Sequence, residues 1–163
     1  MTASNLTIVV HINEQLLNVY DDKDLLKSYA VCTAKNGVGE QKGSECTPRG
    51  AHVIRAKIGD REPLGRVFVG RRSTGEIYQI DDLKKQPDRD WILTRILWLS
   101  GLEKGKNRSG SVDTMRRYIY IHGAPDELVR KTPSSHGCIR MFNKDVIELF
   151  ELVAAGTRVS IVE

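Results

Sequence analysis

Cys138 stands in the run Ser134-Ser135-His136-Gly137-Cys138-Ile139-Arg140-Met141, with one histidine two positions before it. A second histidine, His122, ends the apolar run Arg117-Tyr118-Ile119-Tyr120-Ile121 and is followed by Gly123-Ala124-Pro125. A nucleophilic thiol must be deprotonated near neutral pH, and an imidazole within reach does this by forming a thiolate–imidazolium pair. His136 would share Cys138's side of an extended segment, whereas His122 can fold back across the intervening loop. Gly137 lets backbone approach a reacting carbonyl closely. A turn there would aim successive N–H groups at one point, as an oxyanion hole requires. The residues alone leave three readings open. One is a Cys–His nucleophile. Another is a zinc site from His122, His136 and Cys138, for which no fourth ligand has obvious spacing. The third is ordinary burial, since free cysteine behaves as a small hydrophobe.

The elements that must position these groups read mainly as β. Leu6–Ile12 alternates and is rich in β-branched residues. Asn13-Glu14 turns it into Gln15–Tyr20, and a third strand runs from Leu25 to Thr33. A long glycine-bearing loop follows and ends in Thr47-Pro48-Arg49-Gly50. Further strands are expected at Ala51–Ile58, Arg66–Val69, Glu76–Ile80 and Arg117–Ile121, with Thr157–Val162 closing the chain. Asp81–Asp90 reads as a polar connection and Glu103–Asp113 as a mobile surface loop. Trp91–Leu99 fits a buried strand or a short helix, and periodicity does not arbitrate. One principal helix is expected after Asn143, a good N-cap, with Val146, Ile147, Leu149, Phe150 and Val153 on its apolar face and Gly156 at its stop.

At 163 residues the chain fits a single domain, 1–163. Its 40% hydrophobic and 28% charged content suits one soluble core rather than a disordered chain. No apolar run approaches the ~18 residues of a membrane span. Met1–Asn5 carries no basic leader region, so a cytoplasmic location is expected, or a periplasmic one if an export signal has been removed. The three cysteines are an odd number without a C-x-x-C pair, which suits a reduced compartment. The net charge of +4 is mild. Arg71-Arg72 and Arg116-Arg117 lack the interleaved aromatics of a nucleic-acid platform, and anionic small substrates are the more natural partners. Arg49, Arg71, Arg72, Arg95, Arg116 and Arg117 are candidate contacts for an acidic peptide. Cys32, Cys46, His11 and His52 read as structural, and Trp91 and Trp98 as core.

Residues 117–141, together with Thr47-Pro48-Arg49-Gly50, resemble the signature of the L,D-transpeptidase family with its YkuD-type catalytic domain. In that family a strand ends in His-Gly or His-Ser, and a loop leads to Ser/Thr-His-Gly-Cys, an apolar residue and Arg or Asn. The resemblance implies a β-sandwich of mixed sheets with one principal α-helix and the cysteine at a sheet edge. It makes Cys138 the acylated nucleophile, His122 its general base and Gly123 the carbonyl that orients His122. It places His136 and Gly137 at the active-site wall, and backbone N–H groups near Gly137 and Cys138 in the oxyanion hole. Ser135 becomes a positioning hydroxyl or a turn cap, and Arg140 a contact to a substrate carboxylate or a surface ion pair.

The same resemblance implies a reaction without metal or organic cofactor on peptidoglycan stem peptides (muropeptides). Cys138 would attack the carbonyl of the L-centre of a diamino acid, usually meso-diaminopimelate, and expel D-alanine. Water as acceptor makes a cytoplasmic L,D-carboxypeptidase of cell-wall recycling, the reading the missing export signal favours. An amine acceptor makes a periplasmic L,D-transpeptidase that forms 3–3 cross-links. A non-catalytic module that only binds muropeptides is the alternative from another class. Neither nucleic acid nor membrane is expected as a partner, and oligomeric state is left open.

Overall fold

The structure is a computed structural model that describes residues 5–130 and 133–163. The leader reading of residues 1–4 and part of the polar loop, Lys131 and Thr132, lie outside the described residues. Ten strands occur in chain order: β1 (Leu6–His11), β2 (Leu16–Asp21), β3 (Asp24–Cys32), β4 (Gly50–Ile58), β5 (Arg66–Val69), β6 (Arg72–Ile77), β7 (Ile92–Gly101), β8 (Tyr120–Gly123), β9 (Ile139–Met141) and β10 (Arg158–Val162). The helices are α1 (Asp82–Lys85), α2 (Asp126–Arg130) and α3 (Asn143–Leu152).

Alternation sets which face each strand buries. Ile8 and Val10 in β1, Leu17 and Val19 in β2, and Val159 and Ile161 in β10 all point into one core. Val146, Leu149, Phe150 and Val153 of α3 and its end join that core against β7 and β8. Each fully buried aliphatic side chain of this kind stabilises the fold by about 1.5–3 kcal/mol.

The mainly-β class with one principal helix holds, but the strands do not divide into two separate sheets. They pair in the order β4-β10-β1-β2-β3-β9-β8-β7-β5-β6, and β7 also pairs with β4, so the ladder closes on itself like a barrel. Closure leaves few unpaired edges, which removes a liability of open sheets. The β5–β6 hairpin branches off the start of β7. There Ile92 and Leu93 pair with β5, whereas Ile96 to Gly101 pair with β4. The change of partner falls at Thr94, which has φ +75°, an unusual value for a β-branched residue. Among the named strand pairs of the described residues, β1–β10 and β8–β9 are parallel and the rest antiparallel.

Several expectations change. Trp91–Leu99 resolves mostly as a strand, β7 from Ile92, which pairs with β5, β4 and β8 along its length apart from the break at Thr94 and Arg95. The strand expected from Arg117 begins only at Tyr120, because Tyr118 takes φ +56° and turns the chain. Asn143 is the first residue of α3 rather than its cap; Phe142 occupies the cap position without a side-chain bond. Two further short helices, α1 and α2, occupy stretches expected to be polar connections. The Glu103–Asp113 loop is held rather than loose. Asn107 is fully buried and donates from Nδ2 to the carbonyls of Arg49 and Ala51, both at 3.0 Å. No helix among the described residues is long and apolar enough to cross a membrane.

Candidate active site

Parallel pairing of β8 with β9 sets His122 opposite Arg140 and Ile121 opposite Ile139, which brings the two halves of the motif together. His122 is buried, and its Nδ1 lies 2.6 Å from the carbonyl oxygen of Gly123. A carbonyl only accepts, so Nδ1 carries the proton and Nε2 keeps a lone pair for proton transfer. Gly123 cannot be replaced without disruption: a Cβ there would stand 2.4 Å from Asn143 Oδ1 and 2.5 Å from the Leu93 carbonyl. Asn143 is drawn in by Thr94, whose hydroxyl donates to Asn143 Oδ1 at 2.7 Å, while Asn143 Nδ2 donates to Ala124 O at 3.1 Å. Thus the unusual backbone at Thr94 and the first residue of α3 both serve to back the histidine.

The loop carrying Cys138 is folded by its own hydroxyl. Ser135 is buried; its Oγ donates to the Cys138 carbonyl at 2.6 Å and accepts from Gly137 N–H at 3.2 Å. The Gly137 N–H expected in an oxyanion hole is therefore already spent on Ser135. Gly137 itself has φ +131°, a conformation L side chains rarely adopt. Its carbonyl accepts from Thr47 Oγ1 at 2.9 Å, and the same hydroxyl accepts from Ala34 N–H at 3.0 Å. Cys138 Sγ receives the Tyr120 N–H at 3.3 Å and donates to the Tyr118 carbonyl at 3.4 Å. No hydrogen bond joins Sγ to His122 in this conformation.

Burial governs the charge state of the pair. It pushes the Cys138 thiol up to about 12, against the opposing pull of the Tyr120 N–H and of Arg140 and Arg117. It holds His122 down at about 4, although the Gly123 carbonyl and Asp90 favour its protonated form. Burial thus favours the uncharged form of both partners and works against the ion pair the residue types suggested.

Cys138, His122, His136, Ser135 and Arg140 line one cavity of about 300 Å³. Arg140 is only 6% exposed, its Nη1 donates to Ser134 Oγ at 3.1 Å, and its Nε has no partner among the described residues. This excludes a surface ion pair. His136 is exposed at the cavity mouth. Gly123 and Gly137 do not line the cavity; they act through the neighbours they hold, His122 and Thr47 respectively. Among the described residues no group of three or more His, Cys, Asp or Glu converges as a metal site would. A larger cavity, of about 720 Å³ beside Ile80 and Phe142, contains none of these groups.

Some contributors were missed in the sequence. Arg117, half-buried, donates to the carbonyls of Gly39, Glu40 and Cys46 and pins the glycine loop against the nucleophile. Arg71 reaches in from the β5–β6 turn, donating to Tyr120 OH at 3.0 Å and standing over the Tyr118 ring. Both were named only as generic basic candidates. Arg49 instead pairs with Glu40 and Glu163, and Arg95 is buried over Phe150. His52 is structural, between the Gly50 carbonyl and Thr114 Oγ1.

Comparison with known proteins matches the whole of this architecture. The family model for the YkuD L,D-transpeptidase catalytic domain matches residues 5–161. The YkuD proteins of Bacillus subtilis (strain 168) and Bacillus licheniformis are 48% and 46% identical over 46 residues, 28% of this chain and 28% of theirs. Among solved structures, an L,D-transpeptidase from Mycobacterium smegmatis covers 99% of this chain at 20% identity, with a TM-score of 0.59. L,D-transpeptidase 3 from Mycobacterium tuberculosis covers 99% at 16% identity, with a TM-score of 0.61. At such identities the likeness is one of fold. The chain spans 60% and 63% of the length of those two structures.

Proposed function

This chain belongs to the YkuD L,D-transpeptidase catalytic-domain family, and from that premise we propose that Cys138 opens the peptide bond between a diamino acid and D-alanine in peptidoglycan tetrapeptide stems. The observation that carries the reading is a thiol under the Tyr120 N–H, in one cavity with a histidine oriented by Gly123 and a buried arginine that forms no ion pair among the described residues. Arg140 holds the terminal carboxylate of the stem, since a buried guanidinium without a counter-ion favours an anion strongly. As the substrate carbonyl arrives, the thiol leaves the Tyr118 carbonyl and passes its proton to His122 Nε2 while sulfur bonds to carbon. The Cys138 N–H, unpartnered among the described residues, faces the developing oxyanion. Protonated His122 then gives its proton to the departing amine of D-alanine, leaving a thioester on Cys138. Burial of His122 favours its neutral form, which leaves Nε2 ready to accept the thiol proton on attack.

The acceptor that resolves the thioester is water, so the protein is a cytoplasmic L,D-carboxypeptidase that trims stems during wall recycling. The three cysteines support this reading: none is in a disulfide among the described residues, as suits a reducing compartment. Supplied with purified tetrapeptide stem and a second stem as amine donor, the protein should release D-alanine and yield tripeptide by mass spectrometry. Predominant 3–3 dimer would establish the transpeptidase reading in its place. A folded Cys138→Ala protein should show no turnover, and activity within a few-fold of wild type would remove the nucleophile assignment. Binding without turnover by the unaltered protein would leave only a muropeptide-binding module.

A further inference from the structure

Three concavities on one side of the molecule share lining residues and so form one trough. The catalytic cavity and a second of about 300 Å³ have Arg117, Tyr118, Ile119 and His136 in common. The second shares Arg116 with a third, of about 360 Å³, whose lining includes Arg55, Arg108, Ser100 and Asp113. Beyond the catalytic cavity the trough thus carries Lys42, Arg116, Arg55 and Arg108 against Glu45 and Asp113. The indole of Trp98 joins its two ends. Arg71 of the catalytic cavity stands over that ring at 5.2 Å from its centroid, and Arg55 of the far cavity at 5.9 Å.

Arg49, Arg66 and Arg89 elsewhere each hold a glutamate, but Arg55, Arg108 and Arg116 take part in no ion pair among the described residues. Asp113, whose two oxygens accept the backbone N–H groups of Ser109 at 2.7 Å and Arg116 at 3.0 Å, also interacts electrostatically with Arg116, so one carboxylate stands against three guanidiniums in that cavity. Ser100 Oγ, at the wall of the far cavity, is buried without any partner among the described residues. A single carboxylate needs one guanidinium. Three guanidiniums and an unused hydroxyl around one small cavity suit a tetrahedral, multiply charged oxyanion.

We propose that this trough is an anion-binding extension of the catalytic cleft whose far end takes a phosphate group carried on the substrate. The preferred substrate is then a stem peptide joined through its sugar to a phosphate or diphosphate, rather than the bare tetrapeptide. This rests on the reading of Cys138 and its cleft given above, and the two can fail separately.

Inorganic pyrophosphate, titrated calorimetrically into the folded Cys138→Ala protein at low ionic strength, tests the trough without catalysis. One saturable site is expected, weakening as salt is added. Arg55→Ala/Arg108→Ala should weaken it by about tenfold or more, the loss of charge-assisted bonds, and Ser100→Ala by a smaller factor. Absence of saturable binding, or binding lost in Arg140→Ala but intact in the Arg55/Arg108 variant, overturns the proposal. In turnover, the stem on a phosphorylated sugar should show a lower KM than its dephosphorylated counterpart, and the Arg55/Arg108 variant should erase that advantage. Equal KM values with pyrophosphate still bound would make the site one for free phosphate and overturn the substrate assignment. If neither stem is turned over, the reading of the cleft fails while the titration still decides the trough.

Discussion

Burial acts on both partners of the Cys138–His122 pair in the same sense, toward the uncharged form, and this has consequences that can be measured at single residues. With the thiol pushed up to about 12, the thiolate fraction at neutral pH is small. Alkylation of Cys138 should therefore climb steadily between pH 6 and 9 without a plateau, whereas a preformed ion pair would level off below pH 7. A second consequence concerns stability. His122 and His52 are both held at about 4 against an ordinary 6.5, each chiefly by burial. Between those values the unfolded chain binds protons that the folded chain refuses. Stability is thus complete above pH 6.5 and falls as pH drops toward 4. Each histidine contributes on the order of 3 kcal/mol at most to that fall. Thermal unfolding at pH 7.5 and 4.5 reads the sum, and a folded His52→Gln protein should lose only the His122 share.

Thr47 shows how elements distant in sequence fix the reactive loop. Its hydroxyl joins the end of the glycine loop to the peptide just before Cys138, with both of its bonds buried. Thr47→Val fills the same space but leaves Gly137 O and Ala34 N–H unpaired, at about 1–3 kcal/mol each. The melting temperature should drop and kcat/KM with it, while Thr47→Ser keeps both near wild type; equal behaviour of the two variants would show that the hydroxyl is dispensable. The residues of this site were legible because His122-Gly123 and Ser135-His136-Gly137-Cys138 are short, local patterns. The Thr47 bond was not, since its partner lies 90 positions away and no local pattern registers such a bond. The engagement of the Gly137 N–H by Ser135 is local, two residues away, yet a short motif does not say which acceptor a loop N–H meets. Strand boundaries suffered where backbone torsion overrode propensity, as at Tyr118. The single-helix outline held because the apolar face of α3 is long enough to read.

At the scale of the whole molecule, ring closure separates a protected body from an appendage. β1, β7, β8 and β10 each have ladder partners on both edges and carry core side chains such as Ile8, Leu97, Ile121 and Val159. The β5–β6 hairpin hangs from the start of β7, and every residue of β6 is exposed. β5 is anchored by buried Val67 and Phe68, but releasing β6 alone breaks few buried contacts, so the free energy of local unfolding of β6 should lie far below that of the ring. The hairpin nevertheless ends over the catalytic cavity, where Arg71 bonds Tyr120 OH and packs on Tyr118 and Trp98. Through those contacts Arg71 tethers the turn to the site. Amide hydrogen exchange should therefore be fast in Arg72–Ile77 and slow in β8 and β1. Arg71→Ala should quicken exchange in the hairpin further and leave the ring unchanged, because the ring's ladder does not depend on it. Protection in β6 equal to that in β8 would show the hairpin to be an integral wall of the barrel, and cleft shape would then be set by the fold alone.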